Sequence, residues 1–131
     1  MIYENGITFS PDVLMALKRE IFASLHVALP GTVVRFDAEK TTVDVQPGVR
    51  RKVGKDGTIV GMPVLMDVPV FCPAFSDPDL KILIQPGDPC LVIFADCNID
   101  GWYETGDATL PASERMHDLA DGFAFVGFRR K

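Results

Sequence analysis

Cysteine and histidine are the residues here whose chemistry would be most specific. The sequence has three cysteines, Cys72, Cys90 and Cys97, and two histidines, His26 and His117. A zinc site needs about four ligands, usually with two of them close together in the sequence. These residues are scattered, with no Cys-x-x-Cys and no His-x-x-x-His, so we expect no metal site. Cys97 with His117 is the pair that a nucleophilic mechanism would use, but no local motif of a cysteine hydrolase accompanies it.

Carboxylates form a second group with possible chemistry. Asp96, Asp100, Glu104 and Asp107 surround Trp102, which is the sole tryptophan of the sequence. Paired carboxylates beside an aromatic ring are typical of glycosidases, so a small hydrolase using this loop is one hypothesis. Short acidic side chains also cap turns and short helices. We favour this second interpretation, in which the acids have a structural role.

Two further acids, Asp118 and Asp121, precede the last predicted strand. Asp118 suits an N-cap or an Asx-turn, and Gly122 allows the backbone to enter the strand. We expect Arg115 and His117 to hydrogen-bond these acids and to hold the loop. The sequence also contains no glycine-rich phosphate loop, no nucleophile elbow and no helical zinc motif. It therefore predicts no enzymatic activity, no catalytic residue and no cofactor.

Composition limits the classes of protein to which the chain can belong. A length of 131 residues predicts a single domain spanning residues 1–131. The net charge of −5 opposes a large phosphate-binding surface, and the basic clusters at 50–52 and 129–131 indicate a solvated loop and tail. Three cysteines without a repeated spacing predict reduced thiols. No secretion signal and no apolar run of roughly 20 residues is present, so we expect a soluble protein without stable membrane insertion.

Residues 10–30 carry the signals of one N-terminal helix. Ser10 suits the N-cap and Pro11 the first helical position, and Pro30 with Gly31 predicts the end. Apolar residues recur between them at intervals of three and four. These positions are Leu14, Leu17, Ile21, Leu25 and Ala28.

Two further apolar residues, Met15 and Phe22, widen the face of this helix. Two arrangements follow from the wide face. The helix plugs one end of its own barrel, which we favour, or it also packs against a neighbouring subunit.

Residues 31–128 have the period of two and the frequent turns of an antiparallel β-barrel. Prolines interrupt Val64–Phe75 and predict an edge strand or a bulge. The unbroken apolar run Leu91–Phe94 predicts a strand covered on both faces or covered by the helix, and Asn98–Tyr103 predicts a short helical turn. The predicted strands are Thr32–Phe36, Thr41–Gln46, Val49–Val53, Thr58–Val60, Val64–Phe75, Leu80–Ile84, Cys90–Asp96 and Phe123–Phe128.

Short strands joined by turns, without crossover helices, predict an all-β fold. The preferred form is a small antiparallel Greek-key barrel of the oligonucleotide/oligosaccharide-binding (OB) type, with one N-terminal α-helix. The hairpin formed by Val49–Val53 and Thr58–Val60 is expected to project from it.

Several stretches in a fixed order carry a family resemblance. They cover about residues 10–128 and are specific in the segment before the last strand. The stretches are Ala28-Leu29-Pro30-Gly31-Thr32-Val33, Val43-Asp44-Val45-Gln46-Pro47, Val64-Leu65-Met66-Asp67-Val68-Pro69-Val70, Pro86-Gly87-Asp88-Pro89-Cys90-Leu91-Val92-Ile93-Phe94-Ala95-Asp96, and Arg115-Met116-His117-Asp118-Leu119-Ala120-Asp121-Gly122-Phe123-Ala124. The chain resembles the N-terminal OB-fold domain family of tailed-phage central spike, or baseplate spike, proteins.

This resemblance implies a structural role without catalysis. Such domains form a trimeric collar that docks to the baseplate hub, and their chains usually continue into a β-helical needle. The sequence ends at 129–131 without a needle, so the expected protein is a spike or hub-adaptor domain lacking its own needle, with a separate needle or tip protein as a possible partner. The implied location is the virion tail, at the baseplate, after assembly in the host cytoplasm.

Three barrels around an axis would form a closed cyclic assembly. The apolar residues left over after one small barrel is filled are the candidate interface, namely Met15, Phe22, Phe71 and Phe75. The alternative function is a single-stranded nucleic-acid-binding OB-fold protein, which would stack bases on exposed aromatic rings within a basic groove. The acidic balance, and the placement of most phenylalanines in predicted strands, oppose this alternative.

Overall fold

Nine strands and two helices make up the part of the chain that the structure describes. A computed structural model describes residues 3–4, 7–72 and 83–131. The elements are β1 (Tyr3–Glu4), β2 (Ile7–Thr8), α1 (Pro11–Ser24), β3 (Ala28–Asp37), β4 (Thr42–Pro47), β5 (Arg50–Val53), β6 (Thr58–Gly61), β7 (Leu65–Pro69), β8 (Pro89–Phe94), α2 (Asp100–Thr105) and β9 (Gly122–Val126).

Five strands form one antiparallel sheet in the order β7–β4–β3–β8–β9. The two outer strands of this order approach each other, because Val70 forms a parallel bridge with Ala124. The Phe71 N–H also donates to the Ala124 carbonyl at 3.0 Å. The sheet is therefore curled, and a mostly β fold with an N-terminal helix, consistent with a small OB-like barrel, is confirmed.

The core lies on the inner face of this curled sheet. Val33, Val43, Val45 and Val92 are fully buried there, and burying such side chains stabilises the fold by about 1.5–3 kcal/mol each. The rest of the buried cluster consists of Leu65, Val68, Cys90, Phe94 and Ala124.

Strand β8 has one buried face. Cys90, Val92 and Phe94 are buried, while Ile93 is 40% exposed. The expectation that Leu91–Phe94 is covered on both faces, or by the helix, is therefore wrong. The reason is that α1 does not cover the outer face of the sheet.

Helix α1 starts where the sequence predicts and ends earlier. The Ser10 hydroxyl accepts from the Val13 N–H at 3.2 Å, and Pro11 is the first helical residue. The predicted range 10–30 is wrong after Ser24, because Ala28 and the residues after it pair with β8. Sheet hydrogen bonding thus outweighs the helical periodicity that Leu25 and Ala28 continue, and the predicted stop at Pro30 and Gly31 lies within β3.

No residue of α1 is buried. The preferred expectation, a helix that plugs its own barrel, is therefore wrong. The alternative, in which α1 packs against a neighbouring subunit, stays a prediction. No helix in the described ranges has the length and apolar character needed to cross a membrane.

The hairpin of β5 and β6 forms a separate two-stranded sheet with every residue exposed, as expected for a projecting element. Strand β7 lies at one end of the five-strand order, and its pairing with β4 has a register shift. This confirms the predicted edge strand.

Three other predictions concern the chain after β7. The structure assigns no strand to Leu83 or Ile84, so the predicted strand Leu80–Ile84 is wrong for these two residues. Residues 80–82 of that strand, and the interface candidate Phe75, lie outside the described residues. The predicted helical turn at Asn98–Tyr103 corresponds to α2.

A glycine at position 31 is required by the close approach of β4 to β3. A Cβ there would lie 2.6 Å from Val45 Cγ1 and 2.8 Å from the Gln46 carbonyl oxygen. We expect Gly31→Ala to lower the free energy of unfolding by about 1–3 kcal/mol, since the backbone must shift to admit the methyl group. Denaturant unfolding followed by circular dichroism measures the change.

The matched control is Gly61→Ala, at a strand end where a Cβ would meet nothing within 4 Å. This variant is expected to change stability by less than about 0.5 kcal/mol. Equal losses in the two variants would contradict the role assigned to the approach of β4.

Candidate functional site

Of the residues with the most specific chemistry, Cys90 lies in the core, whereas Cys97 lies beside the segment that carries His117. Cys90 is buried in β8, and burial raises the pKa of its thiol to about 11, which disfavours the nucleophilic thiolate. The backbone of Cys97 forms an isolated antiparallel β-bridge with that of Met116. His117 Nε2 lies 3.9 Å from Asp96 Oδ1. In the described ranges, no three His, Cys, Asp or Glu side chains are arranged to hold a metal ion.

A charged cluster lies where the loop after α2 enters β9. The Asp121 side chain is fully buried and accepts two hydrogen bonds from Arg115. Arg115 Nε donates to Oδ2 at 2.8 Å, and Nη2 donates to Oδ1 at 2.7 Å. The Ile99 N–H donates to Asp121 Oδ1 at 3.2 Å. Arg115 Nη2 also contacts Asp100 Oδ1 at 3.3 Å. One guanidinium therefore ties α2 to Asp121, the residue that precedes β9.

The electrostatics of this cluster favour permanent charge. The hydrogen bond from Arg115 is the main cause that lowers the pKa of Asp121, and the Ile99 N–H adds to it, while burial acts in the opposite direction. Asp121 in turn raises the pKa of Arg115. General acid–base catalysis needs a pKa near the working pH. Both groups are held away from that range, so the arrangement is suited to fixing a loop.

Two further hydrogen bonds from backbone N–H groups hold this loop. The Ala120 N–H donates to Asp118 Oδ1 at 2.9 Å, which is the predicted Asx-turn. The Ala95 N–H donates to the Asp121 carbonyl at 2.8 Å. The expectation that Arg115 binds these acids holds for Asp121. His117 instead lies beside Asp96.

Sequence reasoning missed a second charged cluster, at the edge of the barrel. Asp44 is buried in β4 beside the core valines Val43 and Val45. It accepts from the Asp67 N–H at 2.9 Å and from Arg35 Nε at 3.0 Å. The Asp67 N–H is the main cause that lowers the pKa of Asp44. The pairing of β4 with β7 has a register shift between Val43 and Val45, at the position of Asp44, which a pattern of period two does not reveal.

The exposed apolar residues are the best candidates for a functional surface. Met15 is 47% and Phe22 66% exposed on α1, and Phe71 is 54% exposed beside β9. These three are residues that the sequence assigned to an interface, and the fourth, Phe75, lies outside the described residues. Contiguous exposed apolar surface on a soluble protein is typical of interaction sites.

The Arg115–Asp121 pair generates a stability prediction. Arg115→Met leaves a buried carboxylate without its counter-charge and is expected to lower the free energy of unfolding by about 3–5 kcal/mol. The matched control is Asp100→Asn, which removes the exposed partner of the same arginine and should cost about 0–1 kcal/mol. Thermal or denaturant unfolding distinguishes them.

The pair also predicts a pH dependence. Because folding lowers the pKa of Asp121, its stabilising contribution is complete above the unfolded value of about 3.9 and is lost as the pH falls through the folded value. Asp121→Asn should therefore show a shallower loss of stability below about pH 5 than the native sequence. Equal slopes would contradict the assignment.

Comparison with known proteins gives one family match. The family model described as phage protein Gp138 N-terminal domain matches residues 29–127. No curated protein matches the chain. The matched residues include the five-stranded sheet except Ala28, together with both charged clusters. Since they make up well over half of the chain, the protein belongs to the phage protein Gp138 N-terminal domain family and is a phage structural protein.

Proposed function

We propose that this protein is a trimeric central spike or hub-adaptor domain of a phage tail or a related contractile particle. It docks to the baseplate hub and has no enzymatic activity. Its location is the tail baseplate of the virion, after assembly in the host cytoplasm. A needle or tip protein is a further expected partner, and neither nucleic acid binding nor stable membrane insertion forms part of the role.

The observation that carries this proposal is the uncovered apolar face of α1. Leu17 is 55% exposed, Ile21 50% and Phe22 66%. A helix of 14 residues is marginal in water unless an apolar face is packed. Membership of a phage family supports a virion protein as the partner that packs on this face. We assign this partner to a second copy of the chain, in a closed cyclic assembly.

The charged clusters support a role without catalysis. Arg115 holds Asp121, and Arg35 holds Asp44, each at hydrogen-bond distance. Carboxylates held in this way are poor proton donors and acceptors near neutral pH. Both clusters fix segments of the barrel, as a rigid adaptor requires.

Sedimentation equilibrium tests the proposal directly. The native chain is expected to give a mass three times that of the 14.4 kDa subunit. Leu17→Ser with Ile21→Ser should weaken the association constant at least about tenfold. The reason is that the lost apolar contact is worth at least about 1.4 kcal/mol. The control, Lys18→Ser with Arg19→Ser, changes neighbouring residues outside the apolar positions and should leave the mass unchanged. A native chain that stays monomeric at high concentration would contradict the proposal.

One observation favours the alternative, a single-stranded nucleic-acid-binding barrel. A groove of about 570 Å³ lies beside β3 and β8, and Phe128, Arg129 and Arg130 line part of it. An aromatic ring beside cations is the arrangement that stacks bases and binds phosphates. Titration with an oligothymidine at low and high salt tests it. We expect no binding at low salt. Binding with a steep salt dependence would favour the alternative, if the variant Arg129→Glu with Arg130→Glu abolishes it.

A further inference from the structure

Two oppositely charged segments project from the barrel. The first, here the basic hairpin (residues 50–61), carries four cations and a single acid, Asp56. The second, here the acidic loop (residues 96–114), carries five carboxylates and no lysine or arginine. The cations are Arg50, Arg51, Lys52 and Lys55, and the carboxylates are Asp96, Asp100, Glu104, Asp107 and Glu114.

Both segments leave the barrel at the end where β3 begins. The acidic loop connects β8 to β9, and Phe94 pairs with Gly122 at this end, beside the pair of Ala28 with Ile93. The basic hairpin follows β4, and its side lies along the start of β3. The Gly48 N–H donates to the Pro30 carbonyl at 2.8 Å, and Arg51 Nη2 donates to the Ala23 carbonyl at 3.0 Å.

The two segments lie on opposite sides of β3. In the order β7–β4–β3–β8–β9, the hairpin follows β4 on one side, and the acidic loop joins β8 and β9 on the other. A cyclic trimer is held by a heterologous contact, in which two different surfaces of the same chain meet. The basic hairpin and the acidic loop are two such different surfaces.

One face of the basic hairpin is exposed, and the other contacts the end of α1. Its register pairs Arg50 with Gly61 and Lys52 with Ile59, so Arg50, Lys52 and Ile59 share one face. Ile59 is 60% exposed. Arg51 lies on the opposite face and binds the end of α1. A two-stranded hairpin is marginal in water without further packing, so its free face is expected to meet a partner.

The acidic loop offers matching chemistry. Trp102 and Tyr103 on α2 are about half exposed. Within the described part of the chain, Glu104 and Asp107 take part in no ion pair, whereas Asp100 contacts Arg115. Aromatic rings with charged groups around them are typical of protein interfaces.

We propose that the basic hairpin of one copy docks on the acidic loop of the next copy around the ring. Arg50 and Lys52 face the carboxylates of Glu104 and Asp107, and Ile59 packs against the rings of α2. This contact rests on the trimer proposed above and names the surfaces that form it. Complementary charge also fixes which flank of one copy meets which flank of the next.

A charge exchange followed by sedimentation tests this contact. Arg50→Glu with Lys52→Glu, and separately Glu104→Lys with Asp107→Lys, should each weaken the trimer by at least about tenfold, because like charges then face each other. Combining all four changes should restore association. The control, Arg129→Glu with Arg130→Glu, makes the same change of charge in the C-terminal tail and should leave the trimer intact.

The outcomes separate this inference from the proposed function. A native trimer that survives both reversals, or reversals that the combined variant does not rescue, would overturn the contact and leave the trimer standing. A monomeric native chain would overturn both. Rescue in the combined variant, with unchanged circular dichroism in each variant, excludes misfolding as the cause of dissociation.

Discussion

The rest of the structure depends on the closure of a small barrel whose sheet buries only its inner face. Five strands curl until Val70 meets Ala124, and the inner face then holds a cluster of valines with Phe94 and Leu65. That closure leaves no buried place for α1 or for the β5–β6 hairpin. Both elements are of a size that needs packing to be stable in water. The fold of one chain therefore creates surfaces that association would cover.

Charge has two different uses in this molecule. Inside the subunit, Arg115 with Asp121 and Arg35 with Asp44 tie loops and strand edges to the barrel. These pairs make the scaffold rigid, and their pKa values leave them charged across the neutral range. Outside, the basic hairpin and the acidic loop carry unlike charges. A rigid body with complementary surfaces suits a closed ring of adaptors, in which the apolar face of α1 is also covered.

Local sequence signals predicted starts and turns better than ends and burial. Ser10 and Pro11 fixed the start of α1 because capping is a local interaction. The end was missed because Pro30 and Gly31 resemble a helix stop, while their pairing with β8, some 60 residues away in the sequence, decides their conformation. The burial of Asp44 was missed because it depends on partners in other strands, the Asp67 N–H and Arg35. The Asx-turn at Asp118 and the binding of Arg115 to Asp121 were predictable from neighbours in the loop.

Hydrogen exchange across a range of protein concentration tests the central claim most directly. In dilute solution, the amides of α1 and of β5–β6 should exchange quickly, while those of β3 and β8 stay protected. As the chain associates, α1 and the hairpin should become protected and the barrel strands should not change. Protection of α1 that is already complete in the monomer, or that is absent from a fully associated sample, would contradict the account.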